Sequence, residues 1–475
     1  MEKFLYPCTL ALTLALASCA VGPNYEVTIP TSPDYWNTNL QTDLKKGTPN
    51  IEGWWRKFHD PTLNKLIAIA KEENKDLKIA AERVLEAQAQ FGVAYASLAP
   101  GVAGSGLYDY SRSSESMSFS NPNPSDTYGL GLDASWEVDF FGGLRRSIES
   151  AGASVQATDE LYHDTMVLLY SDVATRYVEY RTLQKRIKLA EDNIVSQGQS
   201  VEITKDRKAA GLAPQTDVSQ AQTNLATSKA LIPQLKLQLA STRNQLAFLL
   251  GRYPGSIESI LGNSTNIPKP PANMRVGLPA DMLRARPDVR AAERQLAAQT
   301  AQVGVATAEL YPKFYINGTL GLGSQSSADL FDSNSRIYSL GPSFQWRLFE
   351  GGRIRQDIKV EESRTRQALL NYEKTVLNAV TEVETALSNI NHEYNRRSHL
   401  NTSVVAARET VSLIKENYKE GIVDFQNVLD AERTIFGQED AAASSEGIYT
   451  AYHIQLYRSL GGGTKMRPVS QNPAK

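Results

Sequence analysis

The stretch Tyr128-Gly129-Leu130-Gly131-Leu132-Asp133-Ala134-Ser135-Trp136-Glu137-Val138 decides the fold. In an extended chain Tyr128, Leu130, Leu132, Ala134, Trp136 and Val138 share one face, while Gly129, Gly131, Asp133, Ser135 and Glu137 share the other. A strand that meets lipid on one side and water on the other needs this period of two, and about ten tilted residues cross a bilayer. A second run agrees: Tyr338, Leu340, Pro342, Phe344, Trp346 and Leu348 alternate with Ser339, Gly341, Ser343, Gln345 and Arg347. Phe314, Ile316, Leu320 and Leu322 mark a third strand, and the glycine-rich run from Val102 to Tyr110 a weaker fourth. A soluble sheet with one face packed on helices carries the same alternation, so the flanking sequence must arbitrate.

Those flanks are helical and unusually long. Gly142-Gly143 and Gly351-Gly352 each turn a strand into a helical pattern, and from Leu144 to Ala209 neither a proline nor a turn signal intervenes. At 1.5 Å per residue that is about 100 Å of helix, too long to fold back over so small a sheet. Leu63, Ile67, Ala70, Leu77, Ala81, Val84, Phe91 and Leu98 keep steps of three, four and seven, with Asn74 and Gln88 as polar members of the seam. Val376, Val380, Val383, Leu387, Ile390 and Tyr394 do the same in steps of four and three, the period of helices packed side by side.

The chain also matches itself. Gly92-Val93-Ala94 with Leu98-Ala99-Pro100 corresponds to Gly304-Val305-Ala306 with Leu310-Tyr311-Pro312, an offset of 212. Trp136 with Gly142-Gly143 corresponds to Trp346 with Gly351-Gly352, and Gly211, Asp217-Val218 and Ala221 to Gly421, Asn427-Val428 and Ala431. An internal two-fold repeat follows, each copy a helix, two strands and a long helical hairpin. The expected organisation is a signal peptide over 1–18, a lipid-anchored extended segment over 19–59, a first repeat over 60–262 and a linker over 263–286. A second repeat occupies 287–460, and 461–475 is expected as a disordered tail. The strands are expected at about 101–112, 127–138, 313–325 and 336–348, and the segment from Ser111 to Asp126 as an exposed loop tip.

The N-terminus reads as an export signal, with Lys3 and a short apolar run from Thr9 to Leu16. Leu16-Ala17-Ser18-Cys19 resembles a bacterial lipobox, which makes Cys19 the acylation candidate; the competing expectation is ordinary cleavage after Ala17. Ala20 follows, where an aspartate would favour the inner membrane, so the outer membrane is expected. Cys8 and Cys19 are the only cysteines, so the rest of the chain makes no disulfide.

The net charge of −2 gives no electrostatic hold on nucleic acid. There is no Gly-x-Ser-x-Gly elbow and no HExxH helix, and Gly461-Gly462-Gly463-Thr464-Lys465 lacks phosphate-loop spacing. His59, His163, His392, His399 and His453 are scattered, and the six methionines do not cluster, so neither catalysis nor a resident metal or cofactor is expected. A purely structural periplasmic coiled-coil lipoprotein would explain the helices but not four bilayer-length strands.

Four strands cannot close a barrel, and an open edge in hydrocarbon leaves backbone groups unpaired at several kcal/mol each. Two copies of the chain supply eight strands and three supply twelve. The residues then resemble the TolC-like outer-membrane efflux family, specifically the lipoprotein branch serving pumps of the resistance-nodulation-division (RND) class, the NodT-like group. The resemblance spans nearly the whole mature chain and rests on Val21-Gly22-Pro23, Trp54-Trp55 with Phe58 and Asp60, Leu278-Pro279, Arg286-Pro287-Asp288, Glu293-Arg294-Gln295-Leu296 and Leu429-Asp430-Ala431.

The resemblance implies an α+β membrane protein: a homotrimer whose outer-membrane β-barrel, four strands per protomer, continues into a periplasmic α-helical barrel. Its implied partners are outer-membrane lipid, a periplasmic adaptor and an inner-membrane RND transporter. Its implied function is the exit channel of a tripartite efflux system, passively conducting drugs or other small molecules; the alternative is an exit duct for type I protein secretion. It places a gate at the periplasmic tips, with Asp217, Asp424 and Asp430 as acidic residues and Tyr418 as an aromatic constriction. It places adaptor contacts at Gly211-Leu212 and Gly421-Ile422. Some members carry an arginine for an ionic lock where this chain has Val423, so that lock is not expected here. Each tip glycine also serves as an ordinary helix terminator, and Asp217 as a favourable charge in a first helical turn.

Overall fold

A computed structural model describes residues 20–27, 33–38, 44–112, 114, 116, 124–262, 264–277, 279 and 285–463. Cys19, the signal segment, much of the loop tip and residues 464–475 lie outside them. In chain order the elements are β1 (Leu44–Lys46), a 3-10 turn (Trp54–Phe58), α1 (Pro61–Glu73), α2 (Lys75–Ala96), β2 (Gly101–Ser111), β3 (Ser125–Val138), α3 (Gly143–Ala209), α4 (Gln215–Leu249), α5 (Glu258–Leu261) and β4 (Met274–Val276). Then follow α6 (Pro287–Ala308), β5 (Lys313–Ser324), β6 (Arg336–Gln345), α7 (Arg353–Glu420) and α8 (Phe425–Ser459). The described residues fall into two compact units, one drawn from within 1–29, 83–159 and 291–373, the other from within 30–82, 160–290 and 374–475.

The first unit carries an antiparallel sheet in the order β2-β3-β5-β6. Its register aligns the apolar faces: Leu132 pairs Leu320, Trp136 pairs Ile316, Phe314 pairs Phe344 and Tyr108 pairs Tyr128. The opposite face carries two transverse polar ladders. Ser105 and Thr319 both donate to Asp133, at 3.2 and 2.9 Å; Ser135 donates to Asn317 at 2.9 Å, and Asn317 donates to Ser343 at 2.8 Å. Leu107 and Ile337 break the alternation, each opposite a glycine, Gly129 and Gly321. Trp136 and Trp346 donate their indole N–H to Leu98 O and Leu310 O, at 2.8 and 3.1 Å, corresponding places in the two copies. The last strand ends at Gln345 rather than about 348. The next position would face Pro312, which has no N–H for the ladder, and beyond Gln345 Arg347 pairs with Glu309 at 2.9 Å.

The second unit holds a large apolar core. Leu63, Leu66, Ile67 and Ala70 of α1 are fully buried with Val173, Tyr177, Leu246, Leu387, Ile454 and Tyr457. Here the single seam from Leu63 to Leu98 is corrected, because Asn74 is a break. Its side chain accepts from Leu77 N and donates to Leu249 O, both at 2.8 Å, so it caps one helix and closes another. Gly251, at φ +68°, nests against Glu73 O where a Cβ would collide, and Arg252 clamps the Glu73 carboxylate at 2.6 and 2.8 Å. The glycines assigned to a tail also belong to the fold. Gly461 at φ +76° ends α8, Gly462 N donates to Tyr457 O at 2.8 Å, and a Gly462 Cβ would lie 3.0 Å from the Trp54 ring.

One carboxylate sits against this architecture. Burial pushes Asp164 up to about 6, with Asp288 and Glu382 adding repulsion that Arg286 and Arg458 oppose. Arg286 is engaged already, by Asp288 at 2.7 Å, Glu382 at 2.8 Å and Ser459 O at 2.8 Å, and Arg458 lies 3.7 Å from Asp172. A raised carboxylate pKa means the folded state holds the proton more tightly, so stability falls as pH rises from the unfolded value of about 3.9 to the folded one and stays low above it. Asp164→Asn is expected to stabilise the protein by roughly 2–3 kcal/mol at pH 8 and hardly at all at pH 4. Thermal denaturation of the detergent-solubilised protein at both pH values checks this; an equal shift at both would refute it.

Candidate functional site

The helical hairpin tips in the second unit bring most of the expected site residues together. The α3 to α4 turn is closed by Gly211 at φ +76°, with Leu212 N donating back to Arg207 O at 2.8 Å. The α7 to α8 turn repeats it: Gly421 is at φ +81° and Ile422 N donates to Asn417 O at 2.9 Å. Left-handed backbone at this position favours glycine. The following apolar residues are thrust into solvent, with Leu212 67 % and Ile422 66 % exposed.

Tyr418 is 5 % exposed, packed with Val201, Ala221, Phe425, Val428 and Leu429. An aromatic expected at a constriction is thus an internal member of its own protomer's tip. Its ring lies 5.3 Å from Phe425 and 4.8 Å from the guanidinium of Arg207. Arg207 also donates to Tyr418 O at 2.9 Å and Lys419 O at 2.8 Å, the last carbonyls of α7. An arginine from one hairpin therefore caps the other, where the helix dipole favours a cation.

Asp217 completes the group. Its carboxyl is held above the usual aspartate range by partial burial and by Asp424, with the Arg207 charge working against the rise. Burial and the adjacent Asp217 likewise raise the Tyr418 phenol. Asp424 is exposed at the N-cap position of α8. Asp430 stands apart on the exposed side of α8, accepting from Gln426 at 3.1 Å with Arg433 at 4.0 Å. The residue missed in the sequence is Arg207, whose only local signal was a basic side chain in a last helical turn.

Above the tips the hairpins are stapled by buried and half-buried polar pairs. Glu432, 2 % exposed, is held by Lys415 at 2.8 Å and Ser200 at 2.6 Å; Arg186 grips Asp440 through two bonds of 2.7 and 2.9 Å. Among the described residues no group of His, Cys, Asp and Glu could hold a metal ion, and no helix is long and apolar enough to cross a membrane.

The sheet in the first unit is the other functional surface. None of the described residues of β2, β3, β5 or β6 is buried on either face. Leu132, Leu320, Tyr338, Leu340 and Phe344 are 53 to 83 % exposed. A soluble sheet resting one face on helices would bury such residues, and a patch this apolar is an interaction surface. At the strand ends leading to the helices, Phe141 stacks on Tyr311 at 4.5 Å and Phe140 lies 5.9 Å from Phe314.

Residues 66–252 and 278–462 match the family model described as outer membrane efflux protein. Nodulation protein T of Rhizobium leguminosarum bv. trifolii is 30 % identical over 95 % of this chain and 96 % of its own length. Solvent efflux pump outer membrane protein SrpC of Pseudomonas putida is 29 % identical over 97 % and 98 %. A solved structure of the outer-membrane channel OprN superimposes with a TM-score of 0.87 at 33 % identity, covering 94 % of this chain and 99 % of that one.

Proposed function

We propose, from the premise that the chain belongs to the outer membrane efflux protein family, that it is the outer-membrane exit channel of a tripartite efflux system. It conducts small molecules passively and performs no catalytic step. The observation that carries this is the four-stranded sheet whose apolar face is covered by nothing in the described chain. Lipid is the solvent that such a face requires, and the polar ladders on the other face suit a water-filled lumen.

The edges β2 and β6 lack a partner strand among the described residues, so closure in lipid requires identical neighbours. Eight strands give an interior just filled by side chains, whereas three protomers and twelve strands leave a duct. The homotrimer is therefore the assembly proposed, lipid-anchored through Cys19, with a periplasmic adaptor and an inner-membrane RND transporter as partners. Leu212 and Ile422 beside Gly211 and Gly421 are the adaptor contacts, their exposure being what a docking residue needs. Asp217, Asp424 and Asp430 are the gate carboxylates, three copies of each gathering around the axis, and Tyr418 buttresses the gate from inside its own protomer's tip. One relative is named for solvent efflux; here the cargo is chosen by the transporter, and the duct carries drugs or other small molecules.

Reconstitution of the purified protein in planar bilayers tests this. A heat-modifiable, detergent-stable oligomer with discrete conductance is expected, and a monomer extracted without detergent would refute the channel. Acid should lower the conductance, because protonating Asp217 removes its repulsion with Asp424, which favours separation of the tips. Asp217→Asn should flatten that pH dependence, and an unaltered profile would remove Asp217 from the gate.

A further inference from the structure

Two apolar clusters hold the helical hairpins together, and a layer of buried polar side chains separates them. The upper cluster joins Leu183, Ile187 and Ala190 of α3 to Leu235 of α4, with Phe436 of α8 packed against it. The lower one is the tip cluster around Tyr418, Phe425 and Leu429. In the layer between, Lys415 Nζ donates to Ser196 Oγ at 2.7 Å as well as to Glu432, and Asn193 Nδ2 donates to Ser228 Oγ at 3.5 Å.

The Asn193–Ser228 contact sets the level of what lies below it. α3 and α4 run antiparallel, so one turn toward the tip from each residue brings Gln197 opposite Asn224. Another turn brings Val201 and Ala221 into the shared tip cluster, as that register requires. Gln197 is 3 % and Asn224 5 % exposed. Arg433 Nε donates to Asn224 Oδ1 at 3.1 Å, which leaves Nδ2 as the free end of that amide. Among the described residues neither Asn224 Nδ2 nor Gln197 Oε1 has a hydrogen-bond partner. A buried donor and a buried acceptor at one level each carry a full desolvation cost until something bridges them, and a water with both as partners fits that need. At an offset of 210 the second copy has Ala407 and Thr434, and Thr434 bonds back to Asp430 O at 2.7 Å, so the repeat does not account for the amides.

The helices are also weakest beside this layer. Gly198 of α3 lies 13 residues before Gly211, Pro233 of α4 lies 22 after it, and Gly437 of α8 lies 16 after Gly421. A Cβ at Gly198 or Gly437 would meet nothing within 4 Å, so no close approach calls for glycine there. Glycine inside a helix gives up stability for backbone freedom, and Pro233 removes the bond to the Lys229 carbonyl. Such residues, and inserted water, are where helices bend.

We propose that the level about 20 Å above the tips is a hydrated joint: a water bridges Gln197 Oε1 and Asn224 Nδ2, and the tip cluster swings below it as one body when the channel opens. Apolar clusters are close-packed and move whole, whereas polar contacts exchange with water at little cost. The joint rests on the reading of the tips as the gate. Gly198, Gly437 and the two amides are positioning residues, acting through the tip cluster.

The test uses the full-length protein, with the heat-modifiable oligomer verified for each variant. Gly198→Ala and Gly437→Ala place a methyl in open space, so both should assemble, raise the unfolding temperature and each cut single-channel opening about fivefold, the equivalent of the helix propensity gained. Opening as frequent as the parent's in both would overturn the joint. Gln197→Leu and Asn224→Leu should each lower the unfolding temperature by stranding the other amide. The double variant should recover it, because no buried group is then unpaired and Arg433 faces solvent. Gln197→Met with Asn224→Met gives the same cycle if the leucines do not assemble. Losses that simply add, or density for a direct amide–amide bond in a structure that resolves ordered water, would overturn the bridging water. A parent with no gated conductance would fail the gate itself and take the joint with it, while the thermal cycle would still decide the water.

Discussion

Trp54→Ala is expected to destabilise the folded protein by about 3–5 kcal/mol. Trp54 is wholly buried, stacked on Tyr457 at 5.1 Å and 13°, with Phe58 and Trp55 edge-on at 5.8 and 5.9 Å. Its ring is also the floor under Gly462, where the chain turns after α8. Truncation leaves a cavity that rigid helices on every side cannot fill, and it removes the aromatic pairing as well. Trp54→Phe keeps a ring against Tyr457 and should lose roughly half as much. Denaturant unfolding of the detergent-solubilised protein, followed by helical circular dichroism, measures both. A loss below about 1 kcal/mol for Trp54→Ala, within the range of an ordinary surface substitution, would refute the packing argument.

The strands were legible because lipid imposes a one-dimensional rule. Leu130, Leu132 and Trp136 must alternate with Gly131, Asp133 and Ser135 whatever the rest of the chain does, and the register brings those faces together. The long helices were legible for a similar reason, since from Leu144 to Ala209 nothing local can stop them. What stayed hidden depends on distant partners. Asn74 in a heptad-like seam looks the same whether it faces solvent or caps a helix, and only Leu249 O and the nested Gly251 decide. Gly461 to Gly463 read as a tail because Trp54, their packing partner, is some 400 residues earlier.

The site divides along the same line. The tip glycines and Asp217 carry positional signals of turn and helix start, and Tyr418 stood at an identifiable distance before Gly421. Arg207 gave only a basic side chain in a last helical turn, because its acceptors belong to the other hairpin.

Arg207→Ala is accordingly expected to raise the ratio of open to closed channels more than any single change to the tip carboxylates. The guanidinium makes two hydrogen bonds to the end of α7 and covers the Tyr418 ring. Even discounted for partial exposure, a charge-assisted capping contact with a cation–π component contributes on the order of 2 kcal/mol per tip. At 1.4 kcal/mol per decade that is more than tenfold in the gating equilibrium, and it multiplies if three protomers open together. Asp217→Ala with Asp430→Ala should lower conductance as acid does, chiefly through Asp217, since the Asp430 carboxylate reaches Gln426 and Arg433 on the exposed face of α8. Acid and alanine both remove the Asp217 charge that Asp424 repels, so both shift the gating equilibrium in the same direction. Single-channel recordings of these variants, each first shown to form the heat-modifiable oligomer, separate the contributions. An Arg207→Ala channel as closed as the parent would show that the two hairpins are held together by their apolar packing around Tyr418, Phe425 and Leu429 and not by the arginine.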